Sequence, residues 1–243
     1  QLGAMLAVES ERLDHRIAPI RTQIHLLADW FRTGSADPGD AEALVGLCLP
    51  VLHRLPSVEA LRLARDDGWE WMLAREPGGW LTRVVEGDAG ARRAVWMRWD
   101  HEGAPLARED RGGTTYDPRD TAWYRGAMAE RDAWTAHPAQ EEPALYWDAP
   151  DWTASRDTQR FAISLGVPRH NEELVVCFEL HPEALLQTEC IAVAPGGEVV
   201  SVPEGQDPDQ VTLLGQSLRQ MEPGADTHRV ELDGAGWWLR TAS

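Results

Sequence analysis

The chain has 243 residues, of which 43% are apolar and 26% are charged, a composition typical of a folded protein with one large domain or two small ones. Its 40 acidic residues outnumber 23 basic ones, and the formal net charge of −17 disfavours binding to nucleic acid or to an anionic membrane surface. No lysine occurs, which excludes phosphate-loop NTPases, protein kinases and pyridoxal phosphate enzymes, because each needs that amine.

The sequence as given shows no membrane or export segment. It contains no apolar stretch of about 18 residues and no signal-peptide pattern, so we expect a soluble chain. Cys48, Cys177 and Cys190 follow no metal-binding spacing and are expected to be small buried side chains. No metal and no cofactor is predicted.

The N-terminal part predicts two helices. Apolar residues from Leu13 to Phe31 recur at steps of three and four, which keeps one face of a long helix apolar for about five turns. A kink is expected at Pro19, and the helix should end near Gly34. A second helix is expected over 41–55, although Pro50 favours a break in it.

From Val58 onward the spacing changes to the alternation that is typical of strands. An antiparallel meander is predicted with strands at 58–65, 69–75, 80–85 and 94–100. It is followed by a helix at 120–131, strands at 144–147, 160–167 and 174–180, and a short helix at 181–188. The last part predicts a hairpin at 191–202, a helix at 209–221 and strands at 227–232 and 236–241. The fold class is therefore α+β, with two lobes in series behind one long helix.

Motifs of the common enzyme classes do not occur: there is no His-Glu-x-x-His, no Gly-x-Ser-x-Gly, no Cys-x-x-Cys and no Gly-x-Gly-x-x-Gly. One catalytic alternative stays open, a secreted or periplasmic hydrolase in which Asp117, Asp148 and Glu179 act as acid and base.

The segment from Tyr116 to Ala127 carries the most specific pattern. Asp117-Pro118 predicts a turn, and Asp120 or Thr121 can cap the helix that follows. Trp123 and Tyr124 are then about 100° apart on that helix, so one can serve the core and the other a cavity. Trp123 as a packing residue is an alternative, and so is Arg119 as a brace for Asp117 or for a loop carbonyl.

This segment resembles the signature of double Cache sensor domains, which reads approximately Tyr-Asp-Pro-Arg-x-Arg-Pro-Trp-Tyr. The two sequences agree at Tyr116, Asp117, Pro118, Arg119, Trp123 and Tyr124. Tyr146 to Pro150 is similar to the family's Tyr-Trp-x-x-Pro strand, and 174–185 is similar to its closing strand and short helix. The resemblance implies two PAS-like lobes with antiparallel sheets, divided as N-terminal helices at 1–55, a membrane-distal lobe at 56–186 and a membrane-proximal lobe at 187–243.

The resemblance also implies a ligand site in the distal lobe. The site residues that it suggests are Tyr116, Asp117, Arg119, Thr121, Trp123, Tyr124, Trp147, Asp148, Thr153 and Glu179. Members that bind amino acids hold the ligand carboxylate with an arginine where this chain has Thr121, and hold the amine with an aspartate that corresponds to Thr153. A second family aspartate corresponds to Glu179. We therefore expect the chain not to bind free α-amino acids, and to favour an amine without a carboxylate.

The implied function is that of a non-catalytic sensor in a bacterial transmembrane receptor. Its position would be periplasmic or extracellular, between two transmembrane helices, with a cytoplasmic kinase, nucleotide cyclase or chemotaxis module as output. The long helix is expected to pack against both lobes, and its N-terminal part could pair two copies. A lobe that binds no ligand and only passes on the state of a partner is the third alternative.

Overall fold

The structure, a computed structural model, describes residues 2–88, 90–136, 143–148, 160–168, 172–181, 190–193, 199–201, 227–232 and 235–241, with side chains for those between 15 and 181. Contacts divide the chain into two compact units. The first combines 1–21, 147–162 and 180–243, and the second combines 22–146 and 163–179. Among the described residues, no helix is both long enough and apolar enough to cross a membrane.

Helix α1, Leu2–Arg32, confirms the predicted long amphipathic helix and extends it toward the N-terminus. The stripe at Ile17, Ile20, Ile24, Leu27 and Phe31 is at most 1% exposed. Burial of these large apolar side chains, rather than intrinsic helix propensity, accounts for the stability of a helix with a proline inside it. That the stripe packs against both lobes stays a prediction.

Helix α2, Ala41–Arg54, begins at Asp40, whose carboxylate accepts a hydrogen bond from the Ala43 amide at 2.9 Å. The break that we expected at Pro50 is absent, and the helix continues through it to Arg54. Pro50 lies on the exposed side, where the carbonyl that loses its partner can bond to water. Trp71 joins this helix to the sheet by donating its indole N–H to the Ala41 carbonyl at 3.2 Å.

One sheet has eight strands, in the order β5-β4-β3-β2-β1-β8-β7-β6. The strands are β1 Val58–Arg65, β2 Glu70–Glu76, β3 Gly79–Glu86, β4 Arg93–Trp99, β5 Pro105–Gly113, β6 Tyr146–Asp148, β7 Phe161–Pro168 and β8 Glu173–Leu180. The four-strand meander is confirmed, with antiparallel pairs such as Trp71 to Val84 and Trp80 to Trp99. Strand β5 was not predicted, because its sequence has no apolar alternation and every residue in it is exposed.

Helix α3, Ala122–Ala136, follows a short 3-10 turn at Pro118–Asp120 and confirms the predicted helix. Two glycines allow close approach to it. A Cβ atom at Gly166 of β7 would lie 2.7 Å from the Ala127 carbonyl oxygen, and one at Gly126 would lie 2.3 Å from the Tyr146 ring. Side chains at these two positions would therefore push neighbouring elements away.

A second sheet has four strands, in the order β10-β9-β12-β11, and its pairs are antiparallel. The strands are β9 Cys190–Val193, β10 Val199–Ser201, β11 Thr227–Leu232 and β12 Ala235–Thr241. These strands confirm the predicted hairpin and the last two strands. The short helix expected at 181–188 falls, from residue 182 on, outside the described residues, as does all of the helix expected at 209–221. The α+β class is confirmed.

Candidate functional site

The Asp117-Pro118 turn forms as predicted and leads directly into α3. The Asp117 carboxylate accepts a hydrogen bond from the Arg119 amide at 3.0 Å, and the Thr121 amide donates to the Pro118 carbonyl at 3.1 Å. The Thr121 carbonyl accepts the first bond of the helix, from Arg125, at 3.2 Å. The Thr121 hydroxyl also donates to the Pro118 carbonyl. The Thr121 hydroxyl is therefore hydrogen-bonded within the turn itself.

Arg119 braces both partners that the sequence suggested as alternatives. Its Nε and Nη2 atoms donate to the Asp117 carboxylate at 3.0 and 2.8 Å, and its Nη1 atom donates to the Asp66 carbonyl at 2.9 Å. The Nη1 atom of Arg92 donates to the same carboxylate at 2.5 Å. The hydrogen bonds from Arg119, reinforced by that from Arg92, lower the pKa of Asp117 to about 2 even though burial opposes the shift.

This lowered pKa makes the Asp117 contribution to stability depend on pH. A carboxyl with a pKa near 2 in the folded state and near 3.9 when unfolded stabilises the fold above about pH 4, and the effect is lost as the pH falls toward 2. Asp117→Asn should therefore lower the melting temperature at pH 7, and the gap to wild type should narrow between pH 4 and pH 2. Differential scanning calorimetry across this range measures it, and a gap that stays constant would contradict the assignment. Asp120→Asn, in the same turn but exposed, is the control at pH 7.

Trp123 and Tyr124 are both buried, at 5% exposure each, and their rings meet edge to face with centroids 6.0 Å apart. The Trp123 carbonyl accepts a hydrogen bond from the buried Ser164 hydroxyl at 2.9 Å. Burial, with the nearby carboxylates of Asp66 and Glu173, raises the pKa of Tyr124 to about 12. The expected division between a core residue and a cavity residue is not visible in their burial.

A buried cluster of charged and polar side chains lies on the sheet and includes Tyr116. Glu70 at its centre is fully buried and accepts hydrogen bonds from Arg62 at 2.8 Å, from Arg83 at 3.0 Å and from the Tyr116 hydroxyl at 2.7 Å. The Arg83 guanidinium also lies over the Tyr116 ring, 4.4 Å from its centroid. Burial and the Glu70 carboxylate raise the pKa of Tyr116 above its usual range, so its hydroxyl remains a donor.

Glu179 belongs to the same cluster. Its Oε1 atom lies 2.7 Å from the Arg62 Nε atom, without the alignment of a good hydrogen bond, and each side chain is 15% exposed. Although burial opposes it, the carboxylates of Glu179 and Glu70 raise the pKa of Arg62 above its ordinary value. The charges of two glutamates and two arginines cancel in this cluster, so Glu179 is not an unpaired acid that is available to an amine.

Three predicted site residues remain, namely Trp147, Asp148 and Thr153. Trp147 is 7% exposed and stacks on Phe161, with ring centroids 5.3 Å apart. Asp148 ends β6 and is half-buried. Both belong to the other compact unit. Thr153 lies outside the described residues.

One cavity among the described residues is lined by other side chains. It has a volume of about 160 Å³ between α1, α3 and β7, and its polar lining comes from His25, Asp29 and Arg32 of α1 and Trp134 of α3. None of the predicted site residues lines it. A pocket among the predicted site residues therefore stays a prediction. Within the part of the chain that is described, no group of three or more His, Cys, Asp or Glu side chains could hold a metal ion.

Sequence reasoning missed four charged residues that organise this region: Arg62, Glu70, Arg83 and Arg92. The available signal was a charged residue within an apolar run, as at Glu70 between Trp69 and Trp71. A charge at such a position must be paired when it is buried. Its partners come from other strands, and a single sequence does not specify which.

No protein-family model and no curated protein matches this sequence. The fold is similar to that of the ligand-binding domain of the Pseudomonas aeruginosa PAO1 amino acid chemoreceptor PctC in complex with GABA. That structure has a TM-score of 0.58 and 19% identity, over 99% of this chain and 96% of the other.

Two further structures resemble the chain over nearly its whole length. The extracellular domain of the putative histidine kinase soHK1S-Z6 has a TM-score of 0.59 and 12% identity, over 96% of this chain and 88% of that one. The ligand-binding domain of the Pseudomonas fluorescens chemoreceptor CtaA in complex with L-alanine has a TM-score of 0.52 and 16% identity, over 98% and 93%. These likenesses show that the chain has the fold of such ligand-binding and extracellular domains, in agreement with the fold that the Tyr116 to Tyr124 signature predicted.

Proposed function

We propose that this chain, which has the fold of the ligand-binding domains of bacterial chemoreceptors, is the ligand-sensing region of a membrane-anchored signalling receptor. The observation that carries the proposal is that 96% to 99% of the chain is covered by the likeness to such domains. Residues 56–186 would form the membrane-distal lobe that binds a small molecule, and 187–243 the lobe near the membrane. Helices on either side of the chain would anchor it, so that it lies in the periplasm or outside the cell.

Signalling needs a ligand that binds two states of the lobe with different affinity. The long helix α1 would carry the resulting movement to a cytoplasmic kinase, cyclase or chemotaxis module. Pairing of two copies through the N-terminal part of α1 belongs to this proposal, because membrane anchoring would raise the local concentration of a weakly pairing helix.

The hydrolase alternative is disfavoured by the state of its carboxylates. Asp117 is held by two arginines, and hydrogen bonding from them keeps its pKa near 2, too low for a general acid at neutral pH. Glu179 is paired with Arg62. Two of the three acids that this mechanism required are therefore engaged, and we propose that the region is not catalytic.

The ligand preference follows from the contacts that the charged and polar groups already make within the chain. An amine that relied on Glu179 would have to displace Arg62 from it, and an amino acid would also need a carboxylate partner at Thr121. Neither group is free, since the Thr121 hydroxyl is used in its own turn and Arg119 is bound to Asp117 and Asp66. We therefore propose that free α-amino acids are not ligands, and that simple amines bind weakly.

A thermal-shift screen of the purified chain over amino acids, amines, organic acids and nucleobases tests the proposal. A ligand at about 100 times its dissociation constant adds roughly 2.7 kcal/mol to the free energy of unfolding, which is readily measured. We expect at least one stabilising compound and no standard amino acid with a micromolar dissociation constant. Thr121→Arg should gain affinity for amino acids, whereas Thr135→Arg, at an exposed position of α3, should not.

Two results would count against the proposal in different ways. A folded wild-type chain that no compound stabilises would favour the alternative of a lobe without a ligand. Micromolar binding of a standard amino acid would leave the sensor function standing and overturn the ligand preference.

A further inference from the structure

The cavity between α1, α3 and β7 has room for one small ring. Its volume is about 160 Å³, and a cavity of about 150 Å³ in another protein is large enough to hold benzene. All the residues that line it belong to the second compact unit, so its walls do not depend on how the two units meet. A compound of single-ring size can therefore be accommodated within this one unit.

Much of the lining of this cavity is apolar. Leu165 and Val167 of β7 are 2% and 1% exposed, and Ala28 of α1 is 7% exposed. Trp134 of α3 contributes an indole that is half-buried. Apolar side chains and an aromatic ring favour a ligand whose ring faces are apolar, because burial of such faces removes them from water.

Two charged residues of the lining, Asp29 and Arg32, form an ion pair on α1. The Nε and Nη2 atoms of Arg32 both donate to the Oδ1 atom of Asp29, at 3.2 and 2.6 Å. Within the part of the chain that the structure describes, neither Oδ2 of Asp29 nor Nη1 of Arg32 has a hydrogen-bond partner. The two side chains are 48% and 54% exposed. The pair therefore offers an unused acceptor and an unused donor that a ligand can reach.

The charge of this pair favours a neutral ligand. The charges of Asp29 and Arg32 cancel, so a charged ligand would have to separate them to gain a charged partner. A neutral ligand with a C=O group beside an N–H group can instead accept from Nη1 and donate to Oδ2 while the pair stays intact. Hydrogen bonds to charged groups are about twice as strong as those between neutral groups. A cyclic amide carries this combination of groups on the edge of a single ring.

We propose that this cavity is a second ligand site, and that it takes an uncharged single-ring cyclic amide of the pyrimidine-base type. The inference goes beyond the proposed function, because none of the signature residues lines this cavity. A ring bound here would contact α1, α3 and β7 at once, and it would hold the C-terminal end of α1 against the other two elements.

Isothermal titration calorimetry of the whole chain with matched compounds tests this inference. Uracil supplies the C=O and N–H groups on one ring, and we expect saturable binding. The compound 1,3-dimethyluracil keeps the ring and its C=O groups but has no N–H donor, so it should bind about 10-fold more weakly or worse. Benzoate and benzylamine have rings of the same size with a negative and a positive charge, and both should bind more weakly than uracil.

Substitutions in the ion pair test where uracil binds. Asp29→Ala and Arg32→Gln should each weaken uracil binding about 5-fold or more, because each removes one charge-assisted hydrogen bond. The pair is exposed, so its loss should leave the fold intact. The matched control is the exposed pair of Glu86 and Arg93, which does not line the cavity. Glu86→Ala and Arg93→Gln should leave the dissociation constant nearly unchanged.

Ala28→Met tests the cavity without touching the pair. The longer side chain would occupy the space, so uracil binding should be lost, whereas Ala43→Met at an exposed position of α2 should leave it unchanged. No uracil binding at millimolar concentration, equal binding of 1,3-dimethyluracil, or tighter binding of benzoate or benzylamine would overturn the inference. So would uracil binding that Asp29→Ala, Arg32→Gln and Ala28→Met all leave intact. Each of these results leaves the sensor proposal standing, because that proposal concerns the pocket among the signature residues. Uracil binding that these variants abolish, in a chain that no other compound stabilises, would support this site and count against that pocket.

Discussion

Glu70→Ala is expected to lower the free energy of unfolding by about 3 to 5 kcal/mol, because it leaves two largely buried arginines without this carboxylate. Glu70 is fully buried and its partners Arg62 and Arg83 have side chains that are 15% exposed. Arg62 would keep Glu179, so the loss should fall mainly on Arg83, which among the described residues would retain only the Trp96 and Tyr116 rings as partners. Urea denaturation followed by tryptophan fluorescence measures the change.

The matched control for this prediction is Glu76→Ala on the same strand. Glu76 is paired with Arg98 at 3.1 Å, but their side chains are 30% and 51% exposed, so that pair is largely screened by water. Glu76→Ala should therefore lower the free energy of unfolding far less than Glu70→Ala does. Equal effects of the two substitutions would mean that the cluster contributes no more than a surface ion pair.

Gly126→Ala is expected to destabilise the chain by about 1 to 3 kcal/mol, against the usual preference of helices for alanine. The added Cβ would lie 2.3 Å from carbons of the Tyr146 ring, and a rigid ring so close to the helix cannot yield without moving β6. Gly46→Ala is the control, and it is expected to have the opposite effect on stability. Gly46 is exposed in the middle of α2 with no atom within 4 Å of the added methyl, so alanine there should stabilise by up to about 1 kcal/mol.

Melting temperatures of the two variants decide this second prediction. Opposite shifts would support the close contact between α3 and Tyr146. Stabilisation by both substitutions would show that Tyr146 does not sit on Gly126.

The sequence alone was sufficient to predict the elements that residues close together in the chain determine. Alternation and turn residues placed the strands between Val58 and Trp99, and the Asp117-Pro118 dipeptide placed the turn before α3. The site was harder, because its contacts join residues far apart in the chain. Nothing near Glu179 in the sequence indicates that its partner is Arg62, and nothing near Arg92 indicates that it reaches Asp117. Strand β5 was missed for a different reason, since an edge strand exposed along its whole length needs no apolar pattern.

That exposed strand has a consequence for how copies of the domain can meet. Strand β5 ends the eight-stranded sheet, and a bare edge of this kind could accept a strand from another molecule. Arg108, Glu109, Asp110 and Arg111 follow one another along it, so both of its faces carry charge. A strand that added here would have to strip water from charges on each face. Copies of the chain at high concentration could then touch along this edge and separate again, without polymerising into a continuous sheet.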